Sequence, residues 1–398
     1  MNITLHSRIS IVPIDIHKDK KHYIVEDKLT GEFYEMPEIC IEAINRINQG
    51  FRLGEIETTL MGKFPKEEVN LIDFANQLFE MELIDQIDGV RIEKKQISNE
   101  QSEMLWVSPK LGKFFFNKFT VQIYSVIFVL NIAIFIVNPS LFPRRDDIFV
   151  FDIMFVNVIV WMSFSFLFVL IHEFGHVLAI RAHNLPTKME IGHRMFFVVL
   201  LTDMSAIWKL PPKDRNILFL GGLYFDSVLL FIALIVQLFF SNGPFLIVGL
   251  MQLATFDIVL RMIFQCCIYM KTDLYFLFEN VSGCYNLMEN AKHAIRKQLS
   301  FLKLKPMDEE DEVVFAGEKM AVNTYTIFYF LGFMVTIVLY FMYFIPQMIQ
   351  VGIKLLPGFV QPPTSLLFWD ALVFSLQVGI FISFLLYSWR KKYLLNKM

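Results

Sequence analysis

The sequence predicts a polytopic α-helical membrane protein with about six transmembrane helices, preceded by a small N-terminal α+β cytosolic domain of winged-helix-like type. Three observations carry this. Hydrophobic residues make up 55% of the 398 and charged residues 19%, against about 25% charged in an ordinary soluble chain. The charge is concentrated at one end: residues 1–100 hold 12 Lys and Arg and 19 Asp and Glu, and the rest of the chain holds 24 and 20. Beyond that head lie six apolar stretches, each long enough to cross about 30 Å of hydrocarbon. A single soluble core, a disordered chain and a nucleic-acid binder are all excluded by this pattern. Cys40, Cys266, Cys267 and Cys284 lack the spacing of a metal or disulfide framework.

The head is expected over 1–90. Ile9–Ile16 and His22–Val25 look extended, and Leu29–Thr30–Gly31–Glu32 makes a turn before Phe33–Tyr34. Pro37 opens a helical pattern through Ile39, Ile41, Ile44 and Ile47 that Gly50 ends. A second helix fits Leu53–Met61. A third, over Lys66–Met81, spaces Leu71, Phe74, Ala75 and Leu78 on one face. Residues 91–118 read as a linker to a membrane domain over 119–398, with Gln86–Ile97 a polar strand or part of that linker.

The membrane spans are expected near 119–138, 149–181, 215–241, 244–269, 322–350 and 366–389; the second is too long for one simple crossing. Lys and Arg cluster between spans two and three, between four and five, and after six, with Arg390, Lys391 and Lys392 among them. The positive-inside rule then places both termini in the cytosol of a multi-pass protein of the cell membrane. MNITLHSRISIVPID has no basic segment followed by an apolar one, so no cleavable signal is expected. The acidic run Asp308–Glu312 reads as a solvated loop or a helix start.

Within the second span sits His172–Glu173–Phe174–Gly175–His176. On a helix His172 and His176 are one turn apart on one face, as two imidazole ligands to one zinc ion require, and Glu173 lies beside the first, placed to act as a base. Two histidines and a glutamate are costly in apolar sequence without a purpose. A third ligand is needed. The long zinc-protease spacing would put one at Ala182; His183 falls one residue late and reads as a polar helix end. Glu190 and His193 lie in a polar loop. Asp273, after the fourth span, is either the third ligand or the N-cap of a helix from Leu274, and spacing does not choose. Asp226 either hydrogen-bonds a ligand histidine or packs beside Gly221–Gly222. Asp257 and Arg261, at i and i+4, read as an ion pair, and Asp370 as interfacial. Met189–Trp208 is either a hairpin with an open strand edge or an interfacial loop.

These residues resemble a known family. The helical His172–Glu173–x–x–His176, the later Thr272–Asp273–Leu274–Tyr275, the segment Trp208–Lys209–Leu210–Pro211–Pro212–Lys213–Asp214–Arg215 and the step Leu220–Gly221–Gly222 look like the site-2-protease family of membrane-embedded zinc metallopeptidases. Leu274 stands where that family usually has Gly. The head resembles the PqqD-like leader-recognition element of enzymes that process ribosomally made peptides. The likeness covers most of 10–345. It implies a zinc endopeptidase with His172, His176 and Asp273 as ligands, Glu173 as general base and Asp226 as a neighbour of a ligand. It also implies a precursor or leader peptide, or another membrane-associated peptide, as substrate, the lipid bilayer as surroundings, and a peptide-modifying enzyme or exporter as a further partner. A regulatory protease acting on a membrane-anchored regulator, and a non-catalytic immunity or export factor, are the rival readings.

Overall fold

The computed structural model describes residues 3–20, 22–65, 67–92, 104–194, 197–240, 243–298 and 318–395; the Asp308–Glu312 run lies outside them. The chain divides into two compact units. The first comprises Met1–Ser102 with Ser205–Pro212, and the second Glu103–Met204 with Lys213–Met398.

In the first unit, strands β1 (Ile9–Ile11), β2 (Ile14–Asp19), β3 (His22–Asp27) and β4 (Phe33–Met36) precede helices α1 (Glu38–Asn48), α2 (Leu53–Lys63) and α3 (Leu71–Glu80) and the short strands β5 (Ile84–Ile87) and β6 (Val90–Arg91). The single extended segment expected over Ile9–Ile16 is two strands. Pro13, which has no N–H for a ladder, falls at the break. β1 then pairs with β5, while β2 pairs with β3 and β3 with β4, so β4 is an edge. The third helix begins at Leu71 because the Asn70 side chain accepts the N–H groups of Ile72 and Asp73 and caps it there. Val25, Ile44, Leu53, Leu60, Ala75, Leu78 and Ile84 form one closed core. The segment Ser205–Lys209 belongs to this unit: the His17 Nε2–H donates to the Trp208 carbonyl at 2.9 Å, and Lys209 pairs with Glu26 at 2.6 Å.

The second unit holds helices α4 (Pro109–Phe115), α5 (Lys118–Val137) and α6 (Met154–Ala182), the hairpin β7 (Met189–Arg194) and β8 (Phe197–Thr202), then α7 (Pro212–Phe219), α8 (Gly221–Phe239), α9 (Phe245–Gln265), α10 (Asp273–Ser282), α11 (Leu287–Gln298), α12 (Lys319–Leu339), α13 (Ile345–Leu355) and α14 (Leu366–Leu395). Among the described residues, six of its helices are long and apolar enough to cross a membrane: α5, α6, α8, α9, α12 and α14. Helix α6 runs unbroken for 29 residues, about 43 Å at 1.5 Å per residue. Helix α4 lies in the stretch expected to be linker; Ser108 caps it and Pro109 opens it. It packs on the end of α6 at Gly112, where a Cβ would fall 2.7 Å from the Leu178 carbonyl oxygen. Polar side chains point inward: Asn131 Nδ2–H donates to the Ser227 carbonyl at 2.8 Å, and Gln237 Nε2–H to Thr255 Oγ1 at 2.8 Å. Large apolar ones face outward, Phe119, Val129, Phe166, Phe245 and Leu331 among them.

Candidate metal centre

Two elements of the second unit supply the site, and a glycine crossing brings the first of them into register. Helices α6 and α8 approach at Gly175 and Gly221–Gly222. A Cβ on Gly175 would lie 2.6 Å from the Gly221 carbonyl oxygen, and one on Gly222 would lie 2.5 Å from the His172 ring carbons. The small-residue step therefore makes room for an imidazole. His172 and His176, both buried, point from the same face of α6 toward α8.

The outer nitrogen of each ring is committed. His176 Nδ1 lies 2.9 Å from the Leu218 carbonyl, and His172 Nδ1 lies 2.7 Å from Asp226 Oδ2. A carbonyl and a carboxylate only accept, so each Nδ1 carries a proton, which leaves Nε2 as the atom of each ring that could ligate a metal. Asp226, fully buried on α8, is thus a hydrogen-bond partner of His172.

The second element is the turn from α9 to α10. Lys271 takes a left-handed φ of 54°, Thr272 is the extended N-cap residue, and Asp273 is the first residue inside the helix. Asp273 is therefore not the cap. Its Oδ2 lies 3.0 Å from His172 Nε2 and 3.3 Å from His176 Nε2, and the two Nε2 atoms are 3.4 Å apart. Bonds of about 2.0–2.2 Å at tetrahedral angles set donor–donor separations of about 3.3–3.6 Å. Two imidazole nitrogens and one anionic oxygen on a triangle of 3.0–3.4 Å fit a divalent cation with nitrogen and oxygen ligands.

Two polar residues at the centre carry no motif. Gln265, the last residue of α9, grips Asp273 from both sides: its Nε2–H donates to Asp273 Oδ2 at 2.8 Å, and its Oε1 accepts the Asp273 N–H at 3.0 Å. Thr272 Oγ1–H closes the turn onto the Gln265 carbonyl at 2.8 Å. Thr202, the last residue of β8, donates its hydroxyl to Glu173 Oε2 at 2.7 Å. That fixes the carboxylate beside His172. Gln265 is one of several polar residues of α9, with Gln252, Thr255, Asp257 and Arg261, so no signal in the sequence singled it out, and Thr202 had none.

The other candidates lie elsewhere. His183 is an exposed helix end, and Glu190 is exposed and pairs with Lys188 at 3.3 Å. The side chain of His193 is outside the described ones. Asp257 and Arg261 pair at 2.6 Å. Asp370 accepts the Phe155 N–H at 2.7 Å. Comparison with protein-family models, with curated proteins and with solved structures finds no match.

Proposed function

We propose that the protein is a membrane-embedded zinc endopeptidase that cleaves a precursor or leader peptide during maturation of a ribosomally made peptide. The observation that carries this reading is the triangle of His172, His176 and Asp273 with Glu173 held beside it by Thr202. The inward polar and outward apolar side chains of the six long helices support a lipid setting, and the Lys and Arg bias of the connecting segments argues for both termini in the cytosol.

His172, His176 and Asp273 would hold the ion. Zinc, when bound, supplies Lewis-acid polarisation of the scissile carbonyl and acidifies a water. Glu173 takes the proton from the attacking water and returns it to the leaving amine. Thr202 keeps that carboxylate from swinging away. A helix hides its own peptide bonds, so a substrate has to be extended at the site. The two-stranded sheet β7–β8 offers a strand edge for this, and β8 ends at Thr202. The head captures the substrate's leader by adding it as a strand to the β4 edge, Phe33–Met36.

The test is metal analysis and peptide cleavage by full-length protein in detergent. Wild type is expected to hold one zinc, and His172→Ala and Asp273→Ala to lose it. Glu173→Gln should keep zinc while cleavage falls by about 10²–10⁴-fold. Zinc-free wild type, or full processing by Glu173→Gln, rejects the reading. Removing residues 1–90 should abolish leader binding; unchanged binding rejects the role of the head.

A further inference from the structure

We propose that Arg261 is a positioning residue for His172, acting through Asp226 in a largely buried chain of charge that runs along one face of α6. This inference rests on reading His172 as a metal ligand.

The chain is continuous in the second unit. Trp161 Nε1–H donates to Asp257 Oδ1 at 3.0 Å, and Arg261 Nη2–H donates to Asp257 Oδ2 at 2.6 Å. Arg261 Nη1 then faces Asp226 Oδ1 at 3.7 Å, and Asp226 Oδ2 meets His172 Nδ1 at 2.7 Å. The Arg261 guanidinium also lies 5.6 Å from the Phe168 ring centre. Trp161, Phe168 and His172 are spaced i, i+7 and i+11, so they share a face of α6. All three address the same run of charges, which α8 and α9 provide.

A local ion pair would not need this arrangement. Asp257 and Arg261, one turn apart on α9, could satisfy each other alone. Instead the guanidinium keeps a second nitrogen aimed at Asp226. Nη1 and Oδ1 have no hydrogen-bond partner among the described residues, so the ion pair between them is what engages both groups. Asp226 is fully buried among apolar helices, where a carboxylate without a counter-charge is expensive. Arg261 supplies the counter-charge on the side away from His172. That orientation leaves Oδ2 for the imidazole. Asp257 and Trp161 in turn stop the long Arg261 side chain from withdrawing. Without Arg261, Asp226 would turn toward another donor, and His172 would lose the partner that fixes its ring and its proton.

The experiment uses full-length protein in detergent, with zinc affinity read by competition against a chromophoric chelator. The absorption spectrum of cobalt(II) at the same site reports ligand geometry. Asp257→Leu/Arg261→Leu, which leaves no orphaned partner on α9, should weaken zinc by about 10–100-fold and alter the cobalt spectrum. Arg261→Lys keeps the charge but cannot fork between two carboxylates; it should show a smaller loss in the same direction. In an Asp226→Asn background neither change should add to the loss already caused by the Asn. Wild-type affinity and spectrum in either variant, or an undiminished effect in the Asp226→Asn background, overturns the proposal. His172→Ala is the control: zinc binding unaffected by it rejects the metal site itself, whereas loss there with no effect at Arg261 rejects only the positioning role.

Discussion

The two arms of the candidate centre are built by opposite means. On α6, helix geometry alone sets His172, Glu173 and His176: one turn separates the imidazoles, and the 29-residue helix needs no local irregularity to present them. On the α9–α10 side nothing is periodic. Asp273 arrives through a turn containing a left-handed Lys271, and it is aimed by Gln265, which holds both its backbone N–H and its carboxylate. A regular element positions by its own hydrogen-bond ladder, whereas an irregular one has to borrow a side chain. The α6 arm should therefore fail through packing and the α10 arm through loss of a single hydrogen-bonding residue.

Gly222→Ala breaks the first arm hardest. Its Cβ would sit 2.5 Å from the His172 ring, inside the distance that real contacts reach, and the obstacle is a ring already fixed to Asp226. Neither helix backbone can give way freely, because Gly175 and Gly221 are in contact alongside. The ring must leave the triangle. Zinc affinity is expected to fall by at least the 10–100-fold typical of losing a ligand's support, while the variant remains helical by circular dichroism. Undiminished zinc binding would show that the crossing is looser than the distances state.

Gln265→Ala tests the second arm and should cost less. The Asp273 carboxylate remains, but two of its restraints go, and a buried N–H loses its acceptor. We expect about tenfold weaker zinc binding and partial rescue by Gln265→Asn, whose shorter amide reaches only one of the two Asp273 groups. Equal affinity for Gln265→Ala and wild type would mean that the α9–α10 turn holds Asp273 without help.

The difference between the arms also explains what was legible in the sequence. The His172–His176 spacing is a local signal, because a helix converts i and i+4 into adjacency without reference to the rest of the chain. Gly221–Gly222 could be seen as a small-residue step, but that the space belongs to a ring about fifty positions earlier is a tertiary fact. Asp273 was ambiguous between a ligand and a cap because both roles favour a carboxylate at a helix start. The structure gives the cap position to Thr272 and puts Asp273 against the histidines. Gln265 and Thr202 belong to no motif, since each matters only for what it touches across the fold. Arg261 read as half of a local pair because its link to Asp226 runs between α9 and α8. In the head, composition identified a separate charged unit, while Pro13 and the Asn70 cap moved element ends that apolar spacing alone had blurred.

A different kind of effect, on stability rather than zinc affinity, concerns how α10 is anchored at its far end. Glu279 is buried, accepts the Tyr275 hydroxyl and the Leu287 N–H, the latter at 3.0 Å, and so ties α10 to the start of α11. Burial is the main reason its carboxyl is raised from the ordinary 4.5 to about 7, against the two hydrogen bonds, which lower it. A raised carboxyl binds its proton more tightly in the folded chain than in the unfolded one. The stabilisation is therefore full below about pH 4.5 and is lost progressively as pH rises from there through about 7. The upper limit is about 3 kcal/mol, from about 1.36 kcal/mol per unit. Between pH 5 and 8 the melting temperature of the detergent-solubilised protein should fall by a few degrees. Glu279→Gln, neutral throughout, should flatten that slope and melt higher at pH 8. A slope equal to that of wild type would mean that another group sets it, and that the α10–α11 tie holds regardless of the charge on Glu279.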